Sequence, residues 1–138
     1  MKFDLNTNGS KDKEWYLNGK LHRTEGPAIE QANGYKAWYL NGERHRTDGP
    51  AVEWTNGTFK EWWLNGKLHR TDGPAAEGAN DYKAWYLNGE RYTQEEWKKI
   101  CMQPEMKSSA AKNAYVKFQE SRRVISVLAS SGIFNDRW

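Results

Sequence analysis

The chain has 138 residues, enough for one compact domain or for an array with an appendage. Its mean hydropathy of −1.04 is low for an aliphatic core, yet aromatics make up 14% of the residues, which excludes the composition of a disordered chain. The net charge of +3 is uneven, residues 1–90 carrying −1 and residues 91–138 carrying +4, so the basic excess belongs to the C-terminal third. A single cysteine, Cys101, excludes an intrachain disulfide and points to a reducing cytoplasm. No apolar run reaches the roughly 18 residues of a membrane span, and the start MKFDLNTNGS lacks the apolar region of a signal peptide.

The dominant feature is internal repetition. KEWYLNGKLHRTEGPAIEQANGY at 13–35 returns at 36–59 and at 60–82, and its first half returns at 83–92. Trp15, Trp38, Trp62 and Trp85 mark a period of 23, 24 and 23 residues. A period of this size predicts stacked units that bury their apolar groups against their neighbours. Asn8-Gly9 is placed like the second turn of a truncated first unit, so residues 3–12 read as an N-terminal cap.

Each unit predicts two strands. Asn18-Gly19, Asn41-Gly42, Asn65-Gly66 and Asn88-Gly89 are hairpin signals, because a type I′ turn needs positive φ at both central residues. A second turn is signalled at Asn33-Gly34, Asn56-Gly57 and Asn80-Asp81. In the first strand, period-2 alternation puts Trp15 and Leu17 on one face and Tyr16 on the other, and likewise in the later copies. The second strand runs on past Gly-Pro-Ala. Proline cannot serve a regular ladder, so Gly26-Pro27, Gly49-Pro50 and Gly73-Pro74 predict a repeated bend or bulge. The fold class expected is mainly β with C-terminal α: an antiparallel meander, or single-layer β-hairpin array of about 3.5 repeats, over 1–92, then a helical cap and tail over 93–138.

The pattern W-Y-x-N-G-x-x-H-R-x-[DE]-G-P-A resembles MORN-type repeats, in a divergent variant that occurs in bacteriophage and giant-virus proteins. The aromatic strand start and the Asn-Gly turn match the ordinary repeat, whereas His-Arg and Asp-Gly-Pro-Ala stand where that repeat has glycines. Over roughly residues 3–92 the resemblance implies a twisted array of β-hairpins, no enzymatic activity in the repeats, and a scaffolding or interaction role.

The fourth copy breaks after Gly89. Thr93 with Glu96 forms a capping box and predicts a short helix over about 94–102, with Trp97, Ile100 and Cys101 on its apolar side, covering the end of the sheet. Beyond Pro104, residues 108–131 predict a second helix with an apolar stripe at Ala111, Ala114, Tyr115, Phe118, Ile125 and Leu128, stopped at Gly132. This segment has no counterpart in the repeats. It therefore supplies the candidate partner-binding residues: Lys112, Tyr115, Phe118, Arg122, Arg123, Ile125 and Leu128.

Chemistry finds few handles. His22, His45 and His69 recur, but strands two apart are roughly 9–10 Å distant, whereas zinc ligands each lie about 2 Å from the metal. They read as structural, together with the repeated tryptophans and Gly26, Gly49 and Gly73. Arg23, Arg46 and Arg70 precede Glu25, Asp48 and Asp72 by two residues, a same-face spacing that predicts ion pairs rather than a phosphate grip. Cys101 reads as a buried helix cysteine. No metal, cofactor or catalytic constellation is expected. The favoured reading is a non-enzymatic interaction protein, a small phage accessory protein that blocks a host or defence protein in the cytoplasm. The alternatives are nucleic-acid binding by the basic tail, self-association through the C-terminal helix, and small-ligand capture between sheet and helix.

Overall fold

A computed structural model describes residues 3–6 and 11–102, together with 110, 112–114, 116, 117 and 120. The elements in chain order are β1 (Phe3–Asn6), β2 (Lys13–Leu17), β3 (Lys20–Leu21), β4 (Ile29–Glu30), β5 (Lys36–Ala37), β6 (Tyr39–Leu40), β7 (Glu43–Arg44), β8 (Val52–Glu53), β9 (Lys60–Glu61), β10 (Trp63–Leu64), β11 (Lys67–Leu68), β12 (Ala76–Glu77), β13 (Lys83–Leu87), β14 (Glu90–Tyr92) and the helix α1 (Gln94–Cys101). The protein is mainly β, with its helix toward the C-terminal side. One large antiparallel sheet runs β1-β2-β4-β5-β8-β9-β12-β13-β14, with β3 also on β2, and two ribbons, β6–β7 and β10–β11, complete the set.

The hairpins follow from their turns. Asn18, Asn41, Asn65 and Asn88 have φ of 49–51°, and the glycine after each is also at positive φ. Two consecutive positive φ values give the twist that closes β2 on β3, β6 on β7, β10 on β11 and β13 on β14. Of the second turns, Asn56-Gly57 and Asn80-Asp81 again place two consecutive residues at positive φ, and the first copy differs. At Gln31–Gly34 only the glycine is at positive φ, and the Asn33 side chain accepts from the Tyr35 N–H.

The Gly-Pro element is larger than a bulge. Tyr16 pairs with Leu21 and Leu17 with Lys20, while Glu14 pairs with Ile29 and Lys13 with Glu30. The second strand therefore leaves the ladder after His22, whose N–H donates to the Trp15 carbonyl. It rejoins at Ala28, whose carbonyl accepts from the Trp15 N–H at 2.9 Å. Residues 23–27 form an excursion with proline as its last residue, outside the ladder, where a missing donor breaks no strand-to-strand bond. The same bonds recur at Trp38 with His45 and Ala51, and at Trp62 with His69 and Ala75.

Where the strand rejoins, a set of alanines lies buried. Ala28, Ala37, Ala51, Ala75 and Ala84 are at most 1% exposed. A larger side chain has no room there without displacing its neighbours. Apolar bulk concentrates instead at the C-terminal end, where Leu87, Tyr92, Trp97, Cys101 and Val116 form one buried cluster with Trp85 and Ile100 against it. Val116 thus ties the segment after α1 to the sheet, and that segment's described residues are helical. The helix α1 begins as expected: the Thr93 hydroxyl accepts from the Glu96 N–H, and the Glu96 carboxylate accepts from the Thr93 N–H. Among the described residues no helix is long and apolar enough to cross a membrane.

Candidate functional site

The excursions carry an arginine each, and these arginines organise the surface. The guanidinium of Arg23 stacks 3.8 Å from the Trp15 ring centroid, Arg46 3.9 Å from Trp38, and Arg70 3.8 Å from Trp62. Each donates to the carbonyl of the proline four residues on, Pro27, Pro50 or Pro74, and to a glutamate seven residues on, Glu30, Glu53 or Glu77. Arg46 and Arg70 also pair with Asp48 and Asp72 at 2.8 Å, the spacing read from the sequence, and the guanidinium holds the Asp48 carboxyl below the usual carboxylate range. Arg23 pairs instead with Glu30 at 3.1 Å. With two or three acceptors and an aromatic face already engaged, these arginines are fixed parts of the scaffold.

Gly26, Gly49 and Gly73 serve this packing. A Cβ built on them would lie 3.2, 3.0 and 2.8 Å from the guanidinium carbon of Arg23, Arg46 and Arg70. Their φ values are ordinary, so glycine is required for space and not for backbone freedom.

The histidines join one hairpin to the next. The Nδ1 atoms of His22, His45 and His69 accept the backbone N–H of Asn41, Asn65 and Asn88 at 2.9, 3.1 and 2.9 Å. Each therefore carries its proton on Nε2 in the neutral form. At His69 that proton is used: Nε2 donates to the Asn113 side-chain oxygen at 2.8 Å. His69 is 8% exposed, whereas His22 and His45 are half-buried.

Among the described residues, these side chains line two equivalent clefts. The first, about 440 Å³, has Trp38, Leu40 and His45 as its floor, with Arg23, Thr24 and Glu25 as one wall. The second, about 280 Å³, has Trp62, Leu64 and His69 as its floor, with Arg46 and Thr47 as the equivalent wall, and it also contains Lys112 and Asn113. The two clefts are one sequence repeat apart, and the C-terminal segment enters the second. A third hollow, about 440 Å³, lies between Trp85, Tyr92 and the start of α1.

Of the candidate partner-binding residues, Lys112 lies in the second cleft. Tyr115, Phe118, Arg122, Arg123, Ile125 and Leu128 lie outside the described residues. Sequence reasoning missed the cleft walls at Thr24 and Thr47, and Asn113 as the partner of His69. It also missed an aromatic edge at the second turns, where Tyr35 meets Trp54 edge-on at 5.2 Å and Phe59 stacks on Tyr82 at 6.2 Å, with Trp54 and Tyr82 about half exposed. Cys101 is 1% exposed, and burial pushes its thiol up to about 11, so it is protonated at neutral pH.

Burial pushes the His69 pKa down from its ordinary 6.5, opposed by the hydrogen bond to Asn113. Below 6.5 the unfolded chain then takes up a proton that the folded chain does not, so this contribution to stability is complete above 6.5 and is lost as pH falls through the folded-state value. Denaturant unfolding between pH 5 and 8 is expected to show falling stability on the acid side, with a smaller slope for His69→Gln. An unchanged slope in that variant would remove His69 as the source.

A scan against protein-family models finds no match, and neither the curated proteins nor the solved structures contain a match to this chain.

Proposed function

We propose that this chain is a non-enzymatic protein–protein interaction module, a MORN-like array of β-hairpins that acts as a small phage accessory protein. It binds a host or host-defence protein in the cytoplasm and blocks it by occlusion. The observation that carries the reading is the pair of equivalent clefts, one of which is lined in part by Lys112 and Asn113 of the chain's own C-terminal segment, with Asn113 bonded to His69. A scaffold whose arginines, glycines and histidines are spent on holding its shape presents a fixed surface, and fixed surfaces bind with little ordering cost. The resemblance of the repeats to viral variants supports the biological setting.

The test is capture from a nuclease-treated bacterial lysate on the immobilised full chain, at low and at high salt, followed by mass spectrometry. Truncation after Tyr92 is a poor control, because Trp97, Cys101 and Val116 cover Leu87 and Tyr92. A discrete protein retained at high salt is the expected outcome. Recovery of nothing, or of material lost steeply with salt, would replace this reading with small-ligand or nucleic-acid binding.

A further inference from the structure

One stretch of nine residues, KAWYLNGER, occurs unchanged at 36–44 and at 83–91. The first copy is bordered on both sides. Its strand β5 pairs with β4 through Ala37 and Ile29, and with β8 through Ala37 and Val52 and through Lys36 and Glu53. The strands β2 and β9 are likewise held between two others. In the second copy, Ala84 and Lys83 pair with Ala76 and Glu77 of β12, and among the described residues no strand pairs with them on the other side. The Trp38 N–H donates to the Ala51 carbonyl on the β8 side. Backbone groups alternate sides along a strand, so the Lys36 N–H faces β8 as well, and the Lys83 N–H faces the open side.

Two further features mark this edge. The hollow of about 440 Å³ runs beside it, with Lys83, Ala84 and Trp85 on one side and Thr93, Gln94 and Glu96 on the other. Tyr82 is 47% exposed, whereas its counterpart Tyr35 is half-buried and meets Trp54, the residue after Glu53, edge-on at 5.2 Å. Where the earlier copies run on to Gly-Pro-Ala, the chain turns at Thr93 into α1, so this copy brings no bordering strand from its own repeat. An open strand edge is a template for a further strand.

We infer that the open edge of β13 is the docking site for an extended segment of a partner protein, added to the sheet as a strand and carrying in succession a small residue, a β-branched residue, an acid and an aromatic. The inference rests on the interaction-module reading and places its contact at the end of the array. The occupant is read from the strand that borders the identical sequence. There Ala51 has no exposed surface, Val52 pairs with Ala37, Glu53 pairs with Lys36, and Trp54 meets Tyr35. On β13 the same order sets the acid opposite Lys83 and the aromatic against Tyr82. The charges agree. Lys83 and Arg91 line the hollow, and the acid beside them, Glu96, already accepts from the Thr93 N–H and hydroxyl.

The probe is a synthetic peptide of residues 47–55, TDGPAVEWT, titrated into the full-length protein, with the Lys83 amide and the Tyr82 ring followed by NMR. Saturable binding that shifts both signals and slows hydrogen exchange at the Lys83 amide is expected. Methylating the backbone nitrogen of the peptide glutamate removes a donor opposite Lys83 and should weaken binding about tenfold. Lys83→Glu should weaken binding of this peptide and favour one with lysine in place of the glutamate, a swap that a purely structural lysine would not show. Lys83 is exposed, so the variant should fold, as judged by unchanged His69 and Trp97 signals.

Absence of binding would overturn the proposal, as would binding that the methylated peptide or Lys83→Glu leaves intact. A Lys83 amide already slow to exchange in the free protein at every concentration would show the edge filled by this chain's own C-terminal segment. Concentration-dependent self-association lost in Lys83→Glu would make a second copy the occupant. Each of these also overturns the partner strand. If the peptide fails while lysate capture succeeds and survives Lys83→Glu, the edge is wrong and the module reading stands. If both fail, that reading falls as well.

Discussion

Replacing Trp97 with alanine is expected to lower the unfolding free energy by about 3–5 kcal/mol, the range for truncating a buried large aromatic. Trp97 is 3% exposed and lies in the cluster with Leu87, Tyr92, Cys101 and Val116. It is also the rivet between helix and sheet, since its Nε1–H donates to the Arg70 carbonyl at 3.0 Å. Alanine would leave a cavity walled by α1 on one side and by strands on the other. It would also strip a partner from the Arg70 carbonyl. Trp97→Phe separates the two effects, keeping most of the packing and losing the hydrogen bond, at a cost of about 1 kcal/mol for the bond. Urea unfolding of the three proteins decides the matter. A loss below about 1 kcal/mol for the alanine variant would mean that the C-terminal helix is not part of the cooperative unit.

The start of that helix was legible in the sequence because its signal is local. Thr93 and Glu96 are three residues apart, and a capping box needs nothing beyond that spacing. The Asn-Gly turns were legible for the same reason, as backbone geometry written in a dipeptide. The arginine packing was only half legible. Asp48 and Asp72 lie two residues from their arginines and were found, whereas Glu30, Glu53 and Glu77 lie seven residues away across the Gly-Pro excursion. Their approach depends on where the strand leaves and rejoins the ladder, which period-2 reasoning treats as continuous. The bond between His69 and Asn113 was illegible on different grounds. Three histidines are equivalent by sequence, and nothing in a repeat states which copy meets the non-repeating segment.

Substitution of Arg70 by alanine is expected to cost about 2–3 kcal/mol, through the loss of the stacking and of several hydrogen bonds. The Arg70 guanidinium stacks on Trp62, bonds Asp72 and Glu77, and satisfies the Pro74 carbonyl at 3.1 Å. Arg70→Lys should recover less than half of the loss. An ammonium is a point charge and cannot stack flat while also forking to three acceptors. The decisive measurement is the cycle with Gly73. Gly73→Ala alone should destabilise, because the new Cβ meets the guanidinium carbon at 2.8 Å and the arginine is held too firmly to yield cheaply. In the Arg70→Ala background the same glycine change should be close to neutral, since the three atoms nearest the new Cβ, at 2.8–3.1 Å, all belong to that arginine. The coupling energy should therefore reach about 1 kcal/mol or more, as for residues in direct contact. Additive effects would show instead that Gly73 is required by its backbone. The link between the His-Arg and Gly-Pro parts of the repeat would then lie in chain geometry and not in the fit of one side chain.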